Sequence, residues 1–243
     1  MKRCFNFDKV ISRDENSGSY SIKWQGFEDR FPDYDVRGTL GMWIADMDFL
    51  CPPEVITAVK KRAEHGIYGY LSPEAVEAFK KAAAGWFERR YNYQVLTEWM
   101  LFISGVVPSI NAAILEFTEP GDGVIIQNPV YYPFSDSILN CGRIIIDNQL
   151  MENNGFYSMD FERLELLAKN PDTKLMVLCN PHNPVGRVWT ENELYQTGKI
   201  CLDNDVLLFS DEIHADLIMK GYKFVSAGTL AEEITKNLII SFA

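Results

Sequence analysis

Apolar and polar positions follow two rhythms along this chain, and the change comes near residue 51. Before it, aromatic and acidic residues mix without a steady period, so residues 1–49 read as an arm or as part of a second, smaller lobe. After it the pattern becomes regular. Pro52 and Pro53 open a helix that runs to about Glu64 and is closed by Gly66. Ser72-Pro73-Glu74 opens a second, with Val76, Phe79, Ala83, Trp86 and Phe87 on one stripe. Met100–Ile103 is a short apolar run that predicts a strand, and Pro108–Phe117 predicts a helix. Glu119–Gly123 is a turn and Val124–Gln127 a strand. Arg143–Asp147, Lys174–Cys179, Val206–Ser210 and Asn237–Phe242 are further strand-like runs, separated by helical patterns at about 131–141, 160–169 and 190–204.

Strands that alternate with helices imply an α/β fold with a mostly parallel sheet covered on both faces. In such sheets ligands sit at the carboxyl ends of the strands. The residues just after each strand are therefore the candidates for chemistry: Ser104-Gly105, Asn128–Tyr131, Asn180–Gly186 and Asp211–His214.

Composition narrows the classes. The chain has 243 residues, 47% of them hydrophobic, with 15 Phe, 11 Tyr and 5 Trp, which is enough to build a sizeable core and excludes disorder as the main state. A net charge of −11 argues against a nucleic-acid binder working through a basic face, but bare backbone amides can still hold a small anion. The five cysteines are scattered without a CxxC pair, so neither a disulfide framework nor a structural zinc site is expected. No apolar stretch approaches the 18 residues of a membrane span and the N-terminus lacks the apolar run of a signal peptide, so a cytoplasmic protein with no membrane partner is expected.

Each constellation has a plain alternative. Gly105, between an apolar run and a helix, lets amides approach an anion at a helix N-terminus, yet it also suits an ordinary turn. Tyr131 could stack on a planar ring or pack in the core with Tyr132 and Phe134. Two Asn-Pro pairs, 180–181 and 183–184, pin a rigid loop that would hold an amide side chain in one orientation, or simply turn the chain. Asp211 at a strand end suits pairing with a cation on a ligand. A metal site on Asp211, His214 and Asp216 would need a second His/Glu cluster, and none is evident. A helicase-like Asp-Glu-x-His box would need an upstream Gly-x4-Gly-Lys-Ser/Thr loop, which is absent. Acids in the first turn of a helix are also compatible with the dipole alone.

Taken in order, Met42–Phe49, His65–Tyr70, Ser104–Pro108, Phe117–Gly123, Pro129–Tyr131, Cys179–Trp189 and Ser210–Leu217 resemble the fold-type I pyridoxal-phosphate (PLP) enzymes. They are similar in particular to the MalY/PatB-type cystathionine β-lyases of the class I/II aminotransferase group. The resemblance covers about residues 35–243. It implies a PLP-dependent transferase-like large domain over 50–243, with a mostly parallel or mixed sheet sandwiched by helices and the small domain largely missing. It implies that amides around Gly105, Val106 and Val107 cradle the PLP phosphate and that Tyr131 stacks on the ring. Asn183 would bond the ring's phenolic oxygen with His214 close by, and Asp211 would pair with the protonated ring nitrogen. Tyr70 would reach the cofactor of a neighbouring subunit, which implies a homodimer.

The activity implied is carbon–sulfur β-elimination from cystathionine or another cysteine S-conjugate, giving a thiol, pyruvate and ammonia. An aminotransferase begins with the same proton loss, and a non-catalytic PLP-binding or regulatory module is a reading of a different class. The family's Schiff-base lysine follows the strand that reads Asn237–Phe242 here, so it is expected just after Ala243. Lys236, at the strand's other end, is a poor substitute. No catalytic residue of that kind is thus expected within the 243 residues, and an N-terminal fragment, inactive alone, is the expectation.

Overall fold

The computed structural model describes residues 5–13, 18, 20–25, 30–34 and 39–242. Cys4 and Ala243 lie outside them. The chain forms two compact units, Met1–Tyr70 and Leu71–Ala243.

In the first unit regular structure is sparse among the described residues: a single turn Ile22–Gln25 and helix α1, Pro53–Glu64, which buries no side chain. Pro at the start of α1 and basic Lys61 and Arg62 in its last turn match the helix dipole. A polar knot organises the rest. Lys23 bridges to Asp48 at 2.7 Å, Arg13 to Asp46 at 2.6 Å, and Ser21 donates to the same Asp46 carboxylate at 2.6 Å.

The second unit holds helices α2 (Pro73–Tyr91), α3 (Val106–Phe117), α4 (Pro133–Asn140), α5 (Phe161–Ala168), α6 (Glu191–Asp203) and the single turn α7 (Glu232–Thr235). Its strands are β1 (Gly123–Ile126), β2 (Ile144–Asp147), β3 (Met151–Asn153), β4 (Phe156–Ser158), β5 (Thr173–Cys179), β6 (Leu207–Asp211) and β7 (Leu238–Ser241). Five strands make one sheet in the order β2-β1-β5-β6-β7, and every neighbouring pair is parallel.

Side-chain alternation along these strands builds two cores. Ile125, Met176, Leu178 and Leu208 point to one face and pack with Leu164 of α5 and Leu194 and Cys201 of α6. Val124, Ile126, Leu175, Val177 and Phe209 point to the other and pack with Ile110 and Ile114 of α3 and Phe134 and Ile138 of α4. Contact is close where α6 meets α7: a Cβ on Gly198 would fall 2.5 Å from Ile234 Cγ2.

One expectation is corrected, and one hairpin is added. Met100–Ile103 is not a strand; it runs extended outside the sheet after the short turn Thr97–Trp99, and Leu101 and Phe102 are exposed. Its apolar residues fit the pattern of a buried strand, but among the described residues no neighbour supplies a ladder. Conversely, β3 and β4 pair as an antiparallel hairpin within a stretch left unassigned above. Its turn is Asn154-Gly155, with φ of 52° and 80°, the two positive values a two-residue hairpin turn requires.

The strand order reverses between β1 and β5, since β2 lies to one side of β1 and the later strands to the other. That is the switch point where open α/β sheets leave a crevice at their carboxyl edge.

Candidate active site

Four chain segments converge at that edge. After β1 comes Asn128-Pro129-Val130-Tyr131. The Tyr131 ring stands edge-on to Phe134, 5.9 Å between centroids, and remains 37% exposed. Burial, and then the nearby Tyr132 and Asp211 groups, raise its hydroxyl above the usual range.

After β5 comes Asn180–Gly186, and its shape is fixed from within. Cys179, buried and paired in register with Asp211, donates through Sγ to Pro181 O and accepts from the Asn183 amide, both at 3.3 Å. Burial foremost, and the Asp211 charge next, push its thiol up to about 12, so it stays a thiol and acts as a clamp for the turn that carries Asn183. His182 bridges back to Arg187, and its Nε2 meets Pro129 O at 3.0 Å, tying this loop to the Tyr131 segment. Burial pushes the His182 imidazole down to about 4, so it is neutral near pH 7. Arg187 closes the loop: it stacks over Phe156 and Trp189 and bonds both Glu193 oxygens, at 2.7 and 3.0 Å. Glu193 is also the third residue of the Thr190 capping box that starts α6.

At the end of β6 stands Asp211, 2% exposed. Its Oδ1 accepts from the Ile213 amide at 3.1 Å, and this is the carboxylate's one hydrogen bond among the described residues. Burial raises its carboxyl to about 6 against that bond. No lysine, arginine or histidine forms an ion pair with it among the described residues. A carboxylate so buried, with one hydrogen bond and no ion pair among the described residues, is costly unless a cation arrives from outside the chain. The turn beyond carries His214, half-buried, whose imidazole burial holds below its usual value. Asp216 fastens that turn to α2 by accepting from Trp86 Nε1 and Arg90 Nε, each at 2.9 Å.

The fourth segment is the start of α3. Gly105 is its N-cap at φ 111°, a conformation L side chains rarely adopt. Its own amide is engaged by Ile103 O at 3.0 Å, whereas the Val106 and Val107 amides have no acceptor among the described residues. Two free N–H groups therefore point out of the helix N-terminus, where the dipole adds partial positive charge. Ser109, in the same turn, meets Ser241 at the end of β7, Oγ to Oγ 3.0 Å, which ties α3 to the carboxyl edge of the sheet.

Of the residues singled out from sequence, the structure gathers Val106, Val107, Tyr131, Asn183, Asp211 and His214 onto elements ending at this one edge, with Gly105 as the hinge of the helix start. Tyr70 belongs to the other unit, as its last residue, and is fully exposed. Lys236 precedes β7, at the opposite edge, and pairs with Glu232 at 2.9 Å. Sequence reading passed over Glu212, which is completely buried next to Asp211. The signal was available: adjacent residues of a strand face opposite sides, so of two consecutive acids at the end of a covered sheet one must point inward.

The aminotransferase class I and II family model matches residues 39–242. The chain belongs to that family. Cystathionine β-lyase PatB of Bacillus subtilis is 42% identical over 228 residues, 94% of this chain and 57% of that protein. Protein MalY of Escherichia coli is 32% identical over 214 residues, 88% of this chain and 53% of its own length. The fold superposes on cystalysin from Treponema denticola, whose crystal structure contains a pyridoxal 5'-phosphate cofactor, with a TM-score of 0.90 and 39% identity over 99% of this chain and 60% of that one. The chain thus spans a little over half the length of these relatives. Among the described residues no helix is long and apolar enough to cross a membrane, and no cluster of ligating side chains could hold a metal ion.

Proposed function

We propose that this chain supplies the cofactor site of a PLP-dependent carbon–sulfur β-lyase acting on cystathionine or a related cysteine S-conjugate. The observation that carries the reading is Asp211, a buried carboxylate with no cation partner among the described residues, at the switch point of the sheet. It suits a protonated pyridine nitrogen, and the free Val106 and Val107 amides beyond Gly105 suit a phosphate. When bound, PLP is the electron sink for the charge left at a substrate's α-carbon once its proton is removed.

The chain's own residues do the rest. Asp211 keeps a proton on the ring nitrogen by offsetting its charge in a dry site. Val106 and Val107 anchor the phosphate. Tyr131 covers one face of the ring and shields it from water. Asn183, held by Cys179, presents its side-chain amide to the phenolic oxygen, and His214 stands beside it. In the whole protein, Tyr70 reaches the site of a second copy, so the active form is a homodimer, working in the cytoplasm. The net reaction consumes one water per cystathionine and yields homocysteine, pyruvate and ammonia.

The test uses the full reading frame that contains this chain, purified with PLP and given cystathionine. Pyruvate released without any added keto acid is the expected result. Turnover that requires a keto-acid acceptor and returns an amino acid would overturn the lyase reading in favour of an aminotransferase. Binding of PLP with neither reaction would leave a binding module.

A further inference from the structure

Glu212 follows Asp211 and is the more deeply buried of the two acids, with no exposed surface. Its amide continues the ladder by donating to Ser241 O at 2.9 Å. Its carboxyl meets Ser210, two residues earlier in the strand, and so lies on the face opposite to Asp211. Oε1 accepts twice there, from the Ala227 amide at 2.8 Å and from Ser210 Oγ at 3.0 Å. Oε2 has no partner. The Asn180 and Ser226 side chains also hydrogen-bond to this carboxyl, contacts that favour its charged form while burial opposes it. Asn180 is as deeply buried, and its Nδ2 is committed to Val225 O at 3.0 Å, while its Oδ1 likewise has no partner.

Glu212 Oε2 and Asn180 Oδ1 are thus two buried acceptors without a donor among the described residues. One proton on the carboxyl would supply a donor on this side of the sheet. Among the described residues no lysine, arginine or histidine forms an ion pair with Glu212. The titratable group facing it is Tyr93, from the segment after α2, whose hydroxyl is raised by burial and by the Glu212 charge. Asp211 is its neighbour in the chain. The other elements packed around it, the ends of β5 and β7 and the loop 225–227, present Asn180, Ser241, Ser226 and Ala227, none of which titrates.

We infer that Glu212 is held as the neutral acid in the folded protein and serves as a positioning residue, its proton joining Asn180 and the 225–227 loop behind Asp211. The consequence reaches the site through the backbone. The Asn180 amide donates to Asp211 O at 2.9 Å, so the same residue that Glu212 secures also fixes the peptide carrying Asp211 and begins the turn that carries Asn183. Burial raises the carboxyl to about 7, in agreement with the geometry. The neutral state itself stands independently of what Asp211 binds; only the effect on PLP affinity rests on the function proposed above.

Infrared difference spectra of the full-length protein, wild type minus Glu212→Gln, test it in the cofactor-free state at pH 5–6. The expected result is a protonated-carboxyl band that Glu212→Gln lacks and that fades as the pH passes about 7. Melting curves give the second arm. Glutamine, which can donate where the acid did, keeps wild-type stability at pH 5 and stays folded at pH 8. Glu212→Ala, which leaves Asn180 and Ala227 unpaired, melts lower at both and binds PLP about tenfold more weakly, an effect glutamine rescues. A carboxylate band at pH 5–6, or a glutamine variant as damaged there as alanine, overturns the inference. If the wild type binds no PLP, the cofactor reading fails while the infrared and melting arms still decide the state of Glu212.

Discussion

Replacing Asp211 by asparagine separates what the site costs the fold from what it does for a ligand. In the cofactor-free protein Asp211 is buried, its carboxylate has one hydrogen bond and no cation partner among the described residues, and burial pushes that carboxyl up to about 6 from an ordinary 3.8. The folded state therefore keeps a proton that the unfolded chain releases. The stability tied to this group is fully present below pH 3.8 and is lost as the pH rises through 6. A displacement of about two pH units corresponds to about 3 kcal/mol at neutral pH. Asparagine has no charge to strand, and its Oδ1 can still accept from the Ile213 amide. Asp211→Asn should thus match the wild type at pH 4 and exceed it by about 3 kcal/mol at pH 7.5, roughly 6–12 °C in melting temperature for a chain of this size. Thermal melts across that pH range, with and without PLP, provide the assay. With PLP the advantage shrinks or reverses, because only the wild type gains an ion pair with the ring nitrogen. An offset that does not change between pH 4 and 7.5, or a wild type more stable than the variant without cofactor, would refute the reasoning.

Gly105→Ala should lower stability by about 1–3 kcal/mol, because φ 111° strains an L residue although the nearest atom to the added methyl, Pro108 Cδ, lies at a comfortable 3.7 Å. The same change should weaken PLP more than pyridoxal, measured by parallel titrations, since it disturbs the amides offered to phosphate. Tyr131→Phe keeps the ring and should leave PLP affinity within about threefold, whereas Tyr131→Ala should weaken it by about three- to tenfold, read by fluorescence titration. Equal losses in the two Tyr131 variants would assign the effect to the hydroxyl.

Much of the fold is legible in the sequence, and the reasons differ by element. Runs such as Leu175–Cys179 and Leu207–Ser210 are apolar at nearly every position because both sheet faces are covered, and they mark β5 and β6 within about a residue. Helix limits follow the caps: Thr190 with Glu193 fixes the start of α6, and Asp160 that of α5. Met100–Ile103 misleads because an apolar run states a wish for burial without naming a partner. The β3–β4 hairpin was readable from Asn154-Gly155, but its strands of three residues carry no period strong enough to draw attention.

The site is legible to the extent that it lies at strand ends. The rule that ligands sit there brings out Asp211, Tyr131 and the segment 180–186, within which the family resemblance singles out Asn183. The residues that hold them do not announce themselves. Cys179 looks like any core cysteine until its thiol is seen between Pro181 and the Asn183 amide. Arg187 reads as a surface charge until its place between two rings and Glu193 is visible. Glu212 hides behind its more conspicuous neighbour. Supports of this kind depend on long-range packing, which spacing along the chain does not record.

The most direct test of the account is calorimetric titration of the protein with PLP and with pyridoxal, repeated on Asp211→Asn. The expected result is saturable binding of PLP at one site per chain, weaker binding of pyridoxal for want of the phosphate, and a loss of affinity for both in the variant. No saturable binding, or binding indifferent to both the phosphate and Asp211, would contradict it.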